Sequence, residues 1–455
     1  MSSQNEITKL NQTTTQTEIK HPSILEKSAL SCVKCAKCVP TCTIYGVNRD
    51  EITSPRGYLD LANAYAKGRL LLDKQLKDSI ESCFLCTSCV EQCPMHLPVD
   101  VVIQRTRVDI AKKYGIPLYK KIMFYLLGKR SVLNIVFSMG YYFNPCLFKT
   151  QNGFKKMRFK LPKIGDRTIM PFHAKSFLQT HHGLIESKQN SSDKKRKVGI
   201  YIGCLSNYNY KNVGVSLLKI LDRLGIDTLV PKGQECCGAP AFFSGDICNT
   251  TKLIKKNLNY LLPLLDDLEA LLVPEATCAA MLLHDWGNAL EIESEAHGID
   301  NSEYIEKLKI LEKKTYMASK WLHDRTQLNE LLKDSKKEER SITYHDPCHA
   351  RKVLKIYQEP RNLLQNFKLK EMKDCNVCCG FGGVTIQSEK YDLAKSVGDK
   401  KALNIKQSGA EIVSAECSAC RMQIDDSMAR NNVGVSFKHP LELIAENLGL
   451  RLQKC

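Results

Sequence analysis

No run of about 18 or more uniformly apolar residues occurs in the 455-residue chain, so nothing in it reads as a simple membrane span. The nearest stretch, Val132 to Phe148, is broken by Asn134, Ser138, Gly140, Asn144 and Pro145. The first twenty residues are polar and lack the apolar core of a secretory signal; the expectation is a disordered segment over 1–20 and a chain that stays in the reducing interior. No G-x-G-x-x-G follows a predicted strand and no Walker sequence occurs, which argues against a dinucleotide or nucleotide-phosphate site. Acidic residues are absent from Ile110 to Gly165, where 12 Lys or Arg supply most of the net charge of +17.

What is present is a globular composition, 43 % apolar and 25 % charged, in a chain long enough for about three domains. The unusual quantity is 21 cysteines. In a reducing compartment so many thiols point to metal or redox chemistry rather than disulfides.

Two runs share the spacing C-x2-C-x2-C-x3-C: Cys32, Cys35, Cys38, Cys42, and Cys83, Cys86, Cys89, Cys93, the second followed by Pro94. This is the two-cluster ferredoxin signature, in which the fourth cysteine of each run ligates the other cluster. Cys32, Cys35, Cys38 and Cys93 are expected around one 4Fe-4S cubane, and Cys83, Cys86, Cys89 and Cys42 around a second. Structural zinc would use two separated C-x2-C pairs around one ion, which fits two triplet-plus-one runs poorly. Between the runs, Ser54-Pro55, Arg56 to Lys67 and Gly68 read as N-cap, first-turn proline, helix body and terminating glycine. Leu72 to Ser82 also reads as helix, so the domain is an α-helical ferredoxin.

A second pattern repeats further on. Copy one has Cys204, Cys236-Cys237-Gly238, and Cys278 with Met281; copy two has Cys348, Cys378-Cys379-Gly380, and Cys417 with Cys420. Strand-like runs precede the cysteines at Val198 to Ile202, Ala270 to Val273, Ile342 to His345 and Glu411 to Ala415. Val213 to Leu224 has a helical apolar face ended by Gly225. Two α/β domains with parallel sheets follow, with the cysteines beyond the carboxyl ends of strands, where ligands gather in such sheets. Adjacent cysteines suit two irons of one cluster better than one zinc ion, and Gly238 and Gly380 would allow close backbone approach. In this reading Met281 replaces the last cysteine of copy one. His349 is expected as a helix cap, and Cys375 as a spare thiol. Cys146, Cys248 and Cys455 are expected as packing or surface thiols.

Cys-x(about 30)-Cys-Cys-Gly-x(35 to 40)-Cys-x2-Cys is the CCG motif, and two copies behind a two-cluster ferredoxin resemble the iron-sulfur subunits of respiratory flavoprotein dehydrogenases. The likeness spans roughly residues 25 to 450. It is greatest for the glycolate oxidase iron-sulfur subunit family, through Tyr344-His345-Asp346-Pro347-Cys348-His349, Cys378-Cys379-Gly380-Phe381-Gly382-Gly383 and Glu416-Cys417-Ser418-Ala419-Cys420-Arg421. Similar modules occur in lactate-utilisation proteins, the third subunit of anaerobic glycerol-3-phosphate dehydrogenase and heterodisulfide reductase. The resemblance to the last implies a noncubane 4Fe-4S cluster on Cys348, Cys378, Cys379, Cys417 and Cys420. For copy one it leaves Cys204, Cys236, Cys237 and Cys278, which would hold an altered cluster or serve as a degenerate structural repeat.

Clusters pass single electrons, whereas oxidising a hydroxy acid removes two with a hydride, so that step belongs to a partner subunit carrying FAD. The expected organisation is a ferredoxin domain over 21–109, a basic aromatic linker over 110–192, a first CCG domain over 193–330 and a second over 331–455. The linker's interleaved Lys/Arg and Tyr/Phe suit an anionic membrane surface or a docking connector; nucleic acid ranks last because no reader fold accompanies it. Lys194 to Lys197 reads as a solvated approach to the first strand. The expected function is electron transfer from a flavoprotein oxidising glycolate, lactate or a similar 2-hydroxy acid toward membrane quinone or its reductase. The expected location is the cytoplasm, with a peripheral place on the cytoplasmic face of the inner membrane as a further expectation, and no catalytic residue is assigned. The alternatives are a heterodisulfide-reductase-like catalytic subunit and a glycerol-3-phosphate dehydrogenase iron-sulfur subunit.

Overall fold

The computed structural model describes residues 23–151, 154–159, 165, 167–189 and 196–450. Residues 1–20, Lys194 and Cys455, about which the sequence raised expectations, lie outside them.

Helix Ile24–Leu30 opens with a capping box between Ser23 and Glu26. Helix Pro55–Ala66 has Ser54 as N-cap, its side chain accepting from Gly57 N, and Pro55 in the first turn, as the sequence predicts. These two helices and Val99–Tyr114 bury Leu25, Ala29, Leu59, Ala62, Val99 and Val102 against one another. Each large apolar side chain so buried contributes roughly 1.5–3 kcal/mol. With Lys74–Glu81 and Ser88–Gln92 they form the helical ferredoxin domain.

The rest of the chain holds eleven strands among the described residues. In order they are β1 (Phe148–Gln151), β2 (Phe154–Met157), β3 (Gly183–Ile185), β4 (Lys197–Ile200), β5 (Asp227–Val230) and β6 (Ala270–Val273), then β7 (Thr315–Met317), β8 (Ser341–Tyr344), β9 (Lys368–Leu369), β10 (Ile412–Ser414) and β11 (Ser436–Lys438). The first CCG sheet has the order β3-β5-β4-β6-β7, parallel except for β3, and the second β11-β10-β8-β9, all parallel. Without β3, the two sheets share one topology, β5-β4-β6-β7 matching β9-β8-β10-β11, so the cysteine repeat is a repeat of fold. Strands β6 and β8 are buried at every residue, as parallel strands covered on both faces must be.

The two domains share continuous cores: Val273 lies in one cluster with Val413 and Ala415, and Ile200 in another with Ile342 and Tyr344. Helix Asn212–Arg223, ended by Gly225 at φ +73°, packs on helix Pro440–Asn447 of the second domain.

The basic segment departs from the expected linker. Helix Val99–Tyr114 runs through residue 109, and β3 belongs to the first CCG sheet. Helices Leu118–Leu127 and Arg130–Tyr142 strap both CCG domains. Lys120, 3 % exposed, donates to Thr385 Oγ1 at 2.9 Å and pairs with Glu389 at 2.7 Å, while Phe137 stacks on Tyr208 at 4.5 Å. The two helices meet at 109°, and among the described residues no single helix is long and apolar enough to cross a membrane.

Candidate iron–sulfur sites

The ferredoxin runs fold into two matching loops. Lys34 and Ala36 in the first, and Leu85 and Thr87 in the second, take φ values of +57°, +62°, +50° and +54°. Left-handed backbone at non-glycine residues costs energy and persists where the surroundings demand it. Here it stands at the same two positions of each run and curls the thiols inward. One pocket is lined by Cys32, Cys35, Cys38 and Cys93, and another by Cys42, Cys83, Cys86 and Cys89. The fourth cysteine of each run thus sits with the other triplet. Burial pushes the Cys42 thiol up to about 12 and Cys83 up to about 11. Crowded, buried thiols of this kind become thiolates only with a cationic partner among them, which an iron–sulfur cluster supplies.

In the first CCG domain Cys204 meets Cys236, and Cys237 meets both Cys236 and Cys278. All four lie beyond the carboxyl ends of β4, β5 and β6. A Cβ on Gly203, whose φ is +72°, would lie 2.8 Å from Cys278 Sγ, so only glycine admits this approach. Arg130 reaches in from the basic segment beside Cys204, with both Nη atoms buried and without a hydrogen-bond partner among the described residues. Such orphaned cationic donors suit an anionic cluster.

In the second domain Cys378 meets Cys348 and Cys379, and Cys379 Sγ lies 3.3 Å from Cys420 Sγ, which also meets Cys417. Ring nitrogen and thiols of His345, Cys379 and Cys420 fall within 4.8 Å of one another, and His345 Nε2 is otherwise unpartnered among the described residues. Lys401, 2 % exposed, lies beside Cys379 and Cys348. The donor set and the cationic surroundings fit a cluster.

Comparison of the copies corrects the expected register. Helix Ala276–Ala280 has Glu275 as N-cap and helix Ser418–Arg430 has Cys417, so Cys278 and Cys420 stand at the same third position. Each touches the second cysteine of its own pair. Glu275 therefore stands where copy two has Cys417, and Met281 replaces no cysteine. Met281 is wholly buried in the core with Trp286. The Glu275 carboxylate accepts from Ser418 N at 2.7 Å and from the Ser206 and Ser418 hydroxyls, locking the domains together.

Other expectations change too. Gly238 and Gly380 do take φ values of +87° and +92°, but a Cβ on Gly380 would meet Ala394 and Gly398 backbone at 3.0 Å, so a neighbouring helix makes the demand. His349 makes no cap; it stacks on Phe243 and meets Thr277 Oγ1 at 3.3 Å. By contrast Cys146 and Cys248 are exposed, as expected of surface thiols, and Cys375 Sγ turns to Asp346 at 3.5 Å as a spare thiol. Sequence reasoning missed Arg130, Lys352, Lys401 and Glu275; His345 stood in a quoted motif without a role.

Three of the four sites meet in series, the second ferredoxin site with the second CCG site and that with the first CCG site. Cys86 of the second ferredoxin site meets Cys378 of the second CCG site, and Thr277, beside Cys278, meets Cys417 Sγ at 3.4 Å. Arg107, 2 % exposed, fixes the junction by donating to the carbonyls of Cys83 and Phe243, each at 2.7 Å.

A helical two-site ferredoxin leading into paired cysteine-rich α/β domains defines an iron–sulfur electron-transfer protein. Residues 28–97 match the family model of a 4Fe-4S dicluster domain, and residues 198–283 and 342–425 that of a cysteine-rich domain, CCG. The chain is 30 % identical over 258 residues to lactate utilization protein A 2 of Bacillus cereus, covering 55 % of this chain and 99 % of that one. It is 25 % identical over 451 residues to the probable glycolate oxidase iron-sulfur subunit of Bacillus subtilis, covering 93 % and 95 %. An uncharacterized iron-sulfur protein of Methanocaldococcus jannaschii is 26 % identical over 432 residues, covering 91 % and 71 %. The chain belongs to the family of the glycolate oxidase iron-sulfur subunit and lactate utilization protein A.

Proposed function

We propose that this chain carries electrons from an FAD-bearing dehydrogenase that oxidises glycolate, lactate or a similar 2-hydroxy acid toward membrane quinone or its reductase. Cys32, Cys35, Cys38 and Cys93 hold one 4Fe-4S cubane in this reading; Cys42, Cys83, Cys86 and Cys89 hold another. Cys348, Cys378, Cys379, Cys417 and Cys420 hold a noncubane cluster, and Cys204, Cys236, Cys237 and Cys278 offer a further, four-thiol site. The groups supply one-electron storage and transfer; the protein supplies thiolates, cationic neighbours and short separations.

The observation that carries the reading is the contact of Cys86 with Cys378, which joins ferredoxin and CCG sites through their own ligands. The proposal places this work on the cytoplasmic face of the inner membrane, and two features support a membrane surface. Helix Leu118–Leu127 exposes Leu118, Ile122 and Tyr125, and helix Arg130–Tyr142 exposes Val132, Ile135, Val136, Met139 and Tyr142, in a segment without acidic residues. Apolar faces edged by lysine and tyrosine suit an anionic bilayer surface.

The test is anaerobic purification with the flavoprotein, followed by substrate addition. Three filled sites correspond to about 12 Fe and nearly as much acid-labile sulfide, bleached by glycolate or lactate only when the flavoprotein is present. Zinc with little sulfide, or hydroxy-acid oxidation by the isolated chain, would overturn the proposal.

A further inference from the structure

Lys352 is a buried cation without an acidic partner. Its residue is 7 % exposed, and among the described residues no carboxylate pairs with it. The nearby Glu91 is engaged instead by the exposed Lys355, at 3.4 Å. Lys352 Nζ donates to Ser88 Oγ, and that hydroxyl lies 3.4 Å from Cys86 Sγ. The same ammonium lies 4.0 Å from Cys348 Sγ, and Cys378 is in contact with both Cys348 and Cys86. One positive charge is thus enclosed among three thiols that belong to two different sites on two different domains. Burying an ammonium costs several kcal/mol unless negative charge compensates it. Here the nearest compensation comes from the thiolates of Cys348, Cys86 and Cys378 and whatever they bind, ahead of the more distant Glu91 carboxylate.

We infer that Lys352 is the shared counter-charge of the second ferredoxin site and the second CCG site, a positioning residue that holds Cys86 against Cys378 and makes both sites easier to reduce. This rests on the proposed assignment of clusters to those two cysteine sets. An electron leaving one site for the other passes between two groups that see the same ammonium, so the charge favours reduction of both and leaves the step between them nearly level. Lys401 and His345 flank the CCG thiols on the side of Cys379 and face that site alone. Of these, Lys352 is the cation within reach of Cys86.

The experiment is an anaerobic redox titration of the full chain, each cluster followed by its own paramagnetic signal, for wild type, Lys352→Met, Lys352→Arg and Ser88→Ala. A fixed charge at this range, incompletely screened, is expected to make both reduction equilibria at least about tenfold less favourable when removed, a shift of roughly 59 mV per site toward negative potential. Lys352→Arg should restore both. Ser88→Ala keeps the charge but frees it from Cys86, so it should lower the ferredoxin potential and leave the CCG potential in place. The first ferredoxin site should not move in any variant. A Lys352→Met protein with full iron and unmoved potentials, or with only one of the two moved, would overturn the inference. If Lys352→Met fails to assemble, Ser88→Ala decides: an unmoved ferredoxin potential rejects it. A wild type without iron and sulfide would instead reject the cluster assignment, so the two failures are distinct.

Discussion

His439 ties the second CCG domain to the loop that carries Cys278, and its chemistry makes that tie sensitive to acid. The ring is 1 % exposed. Nδ1 accepts from Leu441 N at 3.2 Å, capping helix Pro440–Asn447, and Nε2–H donates to the Pro274 carbonyl at 3.1 Å, one residue before Glu275. Only the neutral ring with its proton on Nε2 satisfies both; a second proton on Nδ1 would face the Leu441 N–H. Burial accordingly pushes the His439 pKa down to about 3 from 6.5. Because the folded value lies below the unfolded one, the stabilisation is full above about pH 6.5 and is lost as pH falls toward 3. One proton with that displacement removes about 2 kcal/mol between pH 8 and pH 5. His439→Asn keeps a capping oxygen and gives up the Pro274 bond, about 1 kcal/mol at pH 8. It has nothing to titrate, so the variant should be the less stable protein at pH 8 and the more stable one at pH 5. Urea midpoints of the loaded proteins, measured anaerobically from pH 8 to 5, give the comparison, and acid lability common to both cancels in the difference. Parallel curves without inversion would refute the reasoning.

Three further outcomes are expected. Glu275→Ala leaves Ser418 N and two hydroxyls without their buried acceptor, so it should cost about 2–5 kcal/mol in denaturant unfolding; a change under about 0.5 kcal/mol would contradict the locking role. Cys35→Ser should remove only the first ferredoxin signal, and Cys379→Ser only that of the second CCG domain; loss of every signal in either variant would show that the sites do not load separately. Replacing Lys121, Lys129 and Lys149 by Gln should weaken binding to anionic vesicles by about 3 kcal/mol at low salt, over a hundredfold, if each lysine near the surface contributes about 1 kcal/mol. Equal binding to neutral vesicles, or tighter salt-sensitive binding to DNA, would reject the membrane surface.

Features set by neighbours in sequence were legible before the fold was known. Ser54, Pro55 and Gly68 lie within one helix and its flanks, and the structure keeps their roles: a side-chain cap, a first-turn proline and a glycine at φ +67°. The triplet cysteines were legible for the same reason, since a loop of seven residues wraps one cavity. Strand, helix and cysteine recurred in the same order twice, which exposed the repeat. The register of its last cysteine was not legible. Two residues separate β10 from the Cys417 cap and one separates β6 from Glu275, so counting along the chain pairs the wrong positions. Nor could charge counting show that Lys120 is buried, because its acceptor Thr385 is 265 residues away. Lys352 and Ser88 are 264 apart and come together only when the ferredoxin docks on the second CCG domain.

The two ends of the series differ in what can reach them, and this bears on direction. At the ferredoxin end Cys35 is exposed, so a flavin held in another protein can approach the first site directly. At the other end Arg130, the first residue of helix Arg130–Tyr142, lies beside Cys204; the helix buries Leu133 and stacks Phe137 on Tyr208, and it exposes Ile135, Val136 and Met139. An α-helix with its side chains is about 10 Å across, so on the proposed function a quinone against the exposed face would stand about one helix from Tyr208 of the first CCG domain. On the proposed function, a flavoprotein at the exposed end and a quinone at the apolar end need no rearrangement between them. The sites run from Cys35 through Cys86 and Cys378 to Cys417 and Cys278 without leaving the chain.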